Sequence, residues 1–198
     1  MLSLTEKLTQ SVAYQGHNYP IDLSYDNVLR FYQLLDDADF DEGEKIIAAF
    51  HIFFDEEVPD DPEFLMNVVK LLGDYVSSNP YGNDTEDPQG DTAPVRYFSF
   101  QQDAEAIYAS FMDQYGIDLI EQQGKLHWDK FKALLDGLGP ETRFRRIISI
   151  RQRSTDGLEG EELSALMEQQ QYYRLTDGAS VDAQTQRTDA MLDALFQQ

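Results

Sequence analysis

The sequence predicts a mainly α fold, a multi-helix bundle carrying a small N-terminal β-hairpin. Three observations lead there. Apolar residues recur three and four positions apart through most of the 198 residues, the spacing of one helix face. Capping residues stand just ahead of several of these runs. Aromatic residues make up 12% and apolar residues 41% of the chain, enough to fill a packed core and too much for an acidic disordered segment.

The elements follow in order. Residues 11–23, SVAYQGHNYPIDL, read as the hairpin. Gln15-Gly16-His17-Asn18 supplies the turn chemistry, and Pro20, which has no N–H to donate, marks an edge strand. A first helix starts after Ser24, with Tyr25, Val28, Leu29, Tyr32 and Leu35 on one face. Asp41 and Glu44 have the spacing of a capping box and open a second helix, whose apolar face is Ile46, Ile47, Phe50, Phe53 and Phe54. Asp61 caps a third, with Pro62 in its first turn and a stripe of Leu65, Val68, Val69, Leu72 and Val76.

The composition then changes. Ser77 to Pro94 holds three prolines, two glycines and almost no apolar residues, which reads as a flexible linker or long loop. Beyond it a fourth helix starts near Phe100, with Ala104, Ile107, Tyr108, Phe111, Met112 and Tyr115 in line and Gly116 as C-cap. A fifth runs from about Leu126 to Gly137, turning Trp128, Phe131, Leu134, Leu135 and Leu138 inward. Gly139-Pro140 ends it. The sixth carries Phe144, Ile147, Ile148 and Arg151 on one side, and Arg143, Arg146 and Arg153 on another. A polar spacer follows Arg153. The seventh helix spans about Glu161 to Leu175, with Leu163, Leu166, Met167 and Tyr173 as its stripe. The eighth, about Asp182 to Phe196, places Thr188, Met191, Leu192, Leu195 and Phe196 on one face. The organisation expected is therefore residues 1–76 as hairpin plus three helices, 77–96 as a flexible acidic linker, 97–153 as a helical core block, and 154–198 as C-terminal amphipathic helices.

The net charge of −22 excludes bare nucleic acid as a natural partner, because phosphate contacts need Lys and Arg. No apolar run approaches the roughly 18 residues that a membrane span needs, and no secretory leader is read at the N-terminus. Cysteine is absent, which removes disulfides, thiol catalysis and cysteine-bound zinc. The charge is uneven. Twelve carboxylates and one Lys lie between Asp36 and Glu63, whereas eight of the fifteen basic residues lie between Lys125 and Arg153. One reading is solubility with local ion pairing; the other is a dipolar surface suited to a homo-oligomer or to a basic partner.

The search for chemistry returns no catalytic residues, no cofactor motif and no metal-ligand spacing. His17, His51 and His127 are scattered. Nucleophile-elbow, phosphate-loop and dinucleotide fingerprints are missing, and neither acidic run has the alternating ligands of a calcium loop. The expectation is a protein that is not an enzyme. Arg143, Arg145, Arg146, Arg151 and Arg153 form the one basic cluster, either a solvated face paired with acids or a contact to an acidic surface such as the Asp36–Glu63 stretch of a second copy. Arg143, Arg146 and Arg153, with Met191, Leu192, Leu195 and Phe196 of the last helix, are the candidate partner-binding residues. Tyr108, Phe111, Trp128 and Phe131 are the candidate core.

The stretches YFSFQQDAEAIYASFMDQYGIDL, LHWDKFKALLDGL and TRFRRIISIR carry a resemblance. Together with an LTEKL-type opening and YPID before the first helix, they resemble the gene-product-fifteen family of tailed bacteriophages, encoded just before the tape-measure gene in long-tailed phages of low-GC Gram-positive hosts. Many members have two Trp where this chain has Trp128-Asp129, so that position departs from the pattern. The resemblance implies a tail-assembly chaperone that holds the helical tape-measure protein until tail-tube subunits polymerise around it. It implies action in the host cell cytoplasm and absence from the mature virion. The family offers no catalytic residues to carry over. A competing reading from the residues alone is an acidic DNA-mimic decoy that inhibits a host DNA-binding protein, motivated by the Asp36–Glu63 stretch. A third, an enzyme with a carboxylate-bound metal, lacks the ligand spacing.

Overall fold

The hairpin turn is tighter than its composition suggests. In the computed structural model, which describes residues 2–78 and 97–176, strands β1 (Ser11–Tyr14) and β2 (His17–Pro20) pair antiparallel with Tyr14 opposite His17. Only Gln15 and Gly16 are left for the turn, and both have positive φ, 46° and 81°. That is the two-residue turn whose twist matches a hairpin. His17 and Asn18, expected in the turn, are strand residues. Tyr14 and Tyr19 leave the hairpin to pack on Phe64, at ring-centroid distances of 4.2 and 4.8 Å.

Seven helices are described: α1 (Tyr25–Asp36), α2 (Glu42–Phe53), α3 (Pro62–Ser77), α4 (Ala104–Tyr115), α5 (Trp128–Asp136), α6 (Arg143–Gln152) and α7 (Gly160–Tyr172). The mainly α class with an N-terminal hairpin is therefore the fold. The expected eighth helix and most of the Ser77–Pro94 linker lie outside the described residues. The capping box at Asp41 and Glu44 closes with two bonds of 2.9 Å. Asp61 accepts from the Phe64 N–H at 3.0 Å and also from the Tyr14 hydroxyl at 3.0 Å, so one carboxylate caps α3 and ties the hairpin to it. Ser24 sits at the start of α1, but its hydroxyl makes no cap bond; Asp22 accepts from the Ser24 N–H instead.

The chain forms two units. The first contains the hairpin, α1, α2, α3 and also Gln122–Lys132. Gln122–Lys132 thus belongs with the N-terminal helices. Backbone bonds show how. The Tyr25 N–H donates to the Leu126 carbonyl at 2.9 Å, and the Trp128 N–H to the Leu23 carbonyl at 2.7 Å. Gly124, at φ 67°, brings its N–H to Asp26 at 2.9 Å. Phe131 then stacks on Tyr25 (4.8 Å) and on Trp128 (5.6 Å). Trp128 is 2% exposed, and its indole N–H donates to the Val76 carbonyl at 3.1 Å. The Tyr32 hydroxyl reaches the same carbonyl at 3.4 Å, and Lys132 donates to the Ser78 carbonyl at 2.9 Å. These three side chains supply the donors that the last turn of α3 lacks.

The core of the first unit is Val28, Phe31, Phe50, Phe53, Phe64, Val68, Val69, Trp128 and Phe131. Two expected members of the α2 face divide: Ile46 is buried, whereas Ile47 is 47% exposed. The 100° step per residue carries Ile47 around to the solvent side.

The second unit contains α4, residues 133–136 of α5, α6 and α7. Gly116, at φ 65°, ends α4 with bonds from its own N–H to Met112 and from Ile117 to Phe111. The buried side of α4 is Ala106, Ile107, Ser110 and Phe111; Met112 and Ala104, expected inward, face solvent. Phe111 and Phe144 are fully buried. Ser110 donates to the Ala106 carbonyl at 2.6 Å and accepts from the Phe144 N–H at 3.0 Å, so a side chain of α4 closes the N-terminus of α6. Thr142, the residue at the cap position, bonds to Gly139 instead. Gln170 of α7 donates to the Ile150 and Arg153 carbonyls and closes the other end.

Trp128→Phe leaves the Val76 carbonyl short of its indole donor and is expected to cost roughly 1–3 kcal/mol, read by urea denaturation followed by circular dichroism. Burial, above all, pushes the His127 pKa below the ordinary 6.5, while the Asp129 carboxylate and the Thr9 backbone pull the other way. Its Nδ1 accepts from the Asp129 N–H at 3.1 Å. An unfolded chain takes up the proton first, so stability is full above pH 6.5 and falls as pH drops from there towards the lower native value. The His127→Gln variant should lose that part of the acid slope in stability-versus-pH curves.

Candidate interaction surfaces

The five arginines of the α6 region separate by role. Arg151 faces inward, its side chain 7% exposed. It forms a two-pronged bond with Asp103, at 2.7 and 2.8 Å, and donates to the carbonyls of Tyr97 (2.8 Å) and Tyr173 (2.6 Å). Asp103 is 4% exposed and also accepts from the Ser99 N–H. The pair therefore satisfies itself with backbone groups, which a buried ion pair needs to offset its desolvation. Arg145 turns to the end of α5 and donates to the carbonyls of Leu135, Asp136 and Leu138. Tyr115 and Gln114 of α4 satisfy Leu134 and Gly137 there. Neither Arg145 nor Arg151 is available to a partner.

Arg143, Arg146 and Arg153 are the exposed ones. Arg146 pairs with Glu141 and Arg153 with Glu162, both at 2.7 Å between exposed side chains. With half-exposed Ile150 they line one side of α6, at spacings of three, four and three. Grooves flank this ridge. One, of about 510 Å³, is lined by Ala109, Asp113, Arg143, Ile147, Ile150 and Tyr173, among others. The other, of about 530 Å³, is lined by Leu138, Pro140, Arg146, Ile148 and Ile150. Arg143, Arg146 and Arg153 were legible from spacing. Tyr173, Ala109 and Pro140 join them only through packing.

The first unit presents the opposite charge. None of the twelve carboxylates between Asp36 and Glu63 is buried. The one cation of that stretch, Lys45, donates to the Leu35 carbonyl at 2.9 Å. Phe40 and Ile47, both more than 40% exposed, stand among these acids.

The remaining candidates are placed as follows. Phe111, Trp128 and Phe131 are buried. Tyr108 is half-buried, and its hydroxyl donates to Asp118 at 3.1 Å, a bond that raises its pKa. Met191, Leu192, Leu195 and Phe196 lie outside the described residues. Among the described residues, no three His, Asp or Glu side chains converge as a metal site would need, and no helix is long and apolar enough to cross a membrane. A further polar cluster is formed by Tyr75, His127 and Asp129. The Tyr75 hydroxyl donates to Asp129 at 2.6 Å, and burial together with that bond raises its pKa. Asp129 is 2% exposed and Lys132 stands 4.0 Å from it. The cluster is a packed support for the start of α5.

With the helices, the charge separation and the ridge in place, comparison with known proteins becomes specific. The chain matches the family described as Bacteriophage Gp15 protein over residues 4–175. It belongs to that family. No curated protein and no solved structure matches it. The family match takes in the hairpin, all seven described helices and both units. It ends before Met191 to Phe196.

The buried pair gives a further prediction. Asp103→Ala leaves the Arg151 guanidinium without its counter-charge and should destabilise the second unit by about 3–5 kcal/mol. Arg146→Ala breaks only an exposed pair and should change stability by less than about 1 kcal/mol. Thermal melts of both variants check the contrast.

Proposed function

We propose that this bacteriophage protein is a non-enzymatic tail-assembly chaperone that holds the helical tape-measure protein and assists tail-tube polymerisation. It acts in the host cell cytoplasm and leaves before the virion is complete. The observation that carries the reading is membership of the Bacteriophage Gp15 protein family across residues 4–175. The physical chemistry is compatible with it. A tape-measure chain has apolar helical stripes that need cover before assembly, and grooves beside a helix can take such stripes. A net charge of −22 keeps a coated intermediate soluble by repulsion between copies. In the sequence, Met191, Leu192, Leu195 and Phe196 recur at the spacing of a helix face, a pattern that would suit the same task. The DNA-mimic alternative fits less well, because Arg143, Arg146 and Arg153 present an exposed cationic ridge that a polyanion mimic would not carry.

Co-expression with the product of the phage tape-measure gene is the test. The expected outcome is a soluble complex that co-purifies. Leu192→Ser/Leu195→Ser/Phe196→Ser should weaken capture about tenfold or more, since each large apolar side chain buried contributes about 1.5–3 kcal/mol. An insoluble tape-measure protein with nothing co-purifying would count against the chaperone reading.

A further inference from the structure

We propose that the arginine ridge of α6 is a docking surface for the acidic Asp36–Glu63 face of a second copy of this chain, so that copies associate head to tail. The inference stands on charge and shape and does not depend on the tape-measure reading.

The ridge is a local reversal of sign. From Arg143 to Arg153 there are five arginines and no carboxylate, in a chain of net charge −22. Three of them, with Ile150 between, run along one side of α6 for about 15 Å at 1.5 Å per residue. Their present partners, Glu141 and Glu162, are 86% and 63% exposed. Such pairs are worth little in water, so exchanging them for another molecule's carboxylates costs little. Arg143 has no ion pair among the described residues. The groove volumes beside the ridge admit side chains of an incoming surface; Ile147, Ile148, Ile150 and Leu138 line them beside Arg143 and Arg146, and the Asp113 and Glu141 carboxylates stand in one of them.

The second copy supplies the complement. Its acidic stretch has twelve unburied carboxylates, of which Asp41, Glu44 and Asp61 are engaged at helix caps, and its one Lys is committed to a backbone carbonyl. Phe40 and Ile47 are exposed within it and can meet the isoleucines that line the grooves. Because the two surfaces differ, the contact is heterologous. Each copy keeps one free acidic face and one free ridge, and growth proceeds to a ring or an open filament.

Two opposed effects set a distinctive salt dependence. Whole molecules of charge −22 repel at long range, while ridge and face attract at short range. At about 0.01 M salt the screening length is about 30 Å and repulsion dominates; near 0.15 M it is about 8 Å and the local pairs prevail; at about 1 M it is about 3 Å and the pairs are screened too. Association driven by apolar contact alone would rise steadily with salt.

Light scattering on the full chain across this salt range is the experiment. The expected result is a mass that rises with protein concentration and peaks at intermediate salt. Arg143→Glu/Arg146→Glu/Arg153→Glu should be monomeric and should shorten wild-type oligomers, since it keeps an acidic face and caps growth. Asp39→Lys/Glu42→Lys/Glu57→Lys should be monomeric alone. Mixing the two variants should restore association, because the unaltered acidic face of the first meets the unaltered ridge of the second. Trp128 fluorescence and circular dichroism report whether each variant is folded, and the milder Arg143→Gln/Arg146→Gln/Arg153→Gln replaces the first if it is not. A wild type that stays monomeric at every salt and concentration overturns the proposal. So does a mass that climbs monotonically with salt, or oligomers that persist in the folded arginine variants.

Discussion

Buried helix ends must find hydrogen-bond partners, and most of this fold is arranged around that need. α3 has neither a glycine cap nor a basic last turn. The Ser77 and Ser78 hydroxyls serve its Asp74 and Tyr75 carbonyls, and the Trp128 indole, the Tyr32 hydroxyl and the Lys132 ammonium serve those of Val76 and Ser78. That requirement fixes where residues 122–132 pack, because a buried indole N–H needs an acceptor as much as the carbonyl needs a donor. The second unit repeats the solution. Ser110 closes the start of α6, Gln170 its end, and Arg145, Tyr115 and Gln114 the end of α5. Helices are thereby locked to one another at their termini as well as along their apolar faces.

The same economy governs charge. Arginine is used for three separate purposes within eleven residues: Arg151 for a buried pair with Asp103, Arg145 for a helix terminus, and Arg143, Arg146 and Arg153 for the surface. The guanidinium suits the first two because its fixed fork can serve several oxygens at once. Acids are spent differently. Asp61 and Asp41 cap helices, and Asp103, Asp26 and Asp129 are buried with partners, while the rest of the Asp36–Glu63 group stays in water. A large surplus of negative charge and a small positive ridge are left outside, and those define what the surface can meet.

Much of the fold was legible in the sequence. The stripes of α1 and α3, the capping box of α2, Pro62 at the start of α3 and Gly116 at the end of α4 are local signals, and each sits where it was expected. The less accurate expectations share a cause. Ile47, Met112 and Ala104 continue an apolar pattern without being buried, because apolar spacing gives the width of a stripe and not which residues a neighbour covers. The turn at Gln15-Gly16 was drawn too long because polar composition does not reveal where pairing begins. Arg143, Arg146 and Arg153 were recognisable as a cluster, but their separation from Arg145 and Arg151 was not, since it depends on which backbone carbonyls come within reach.

By itself the sequence determined the helical class, the order of elements, the local caps and the imbalance of charge, because these follow from spacing and composition within a few residues of each other. It also carried the family, spread over the hairpin and both units. Only the tertiary structure decided that Trp128 belongs with the N-terminal helices, that Ser110 caps α6, and that two of five arginines are consumed inside the protein. Each of those is a bond between residues far apart in the chain. It is chosen by which donor and acceptor are left without water when the helices pack, and that pairing is set by three-dimensional proximity, which no local spacing encodes.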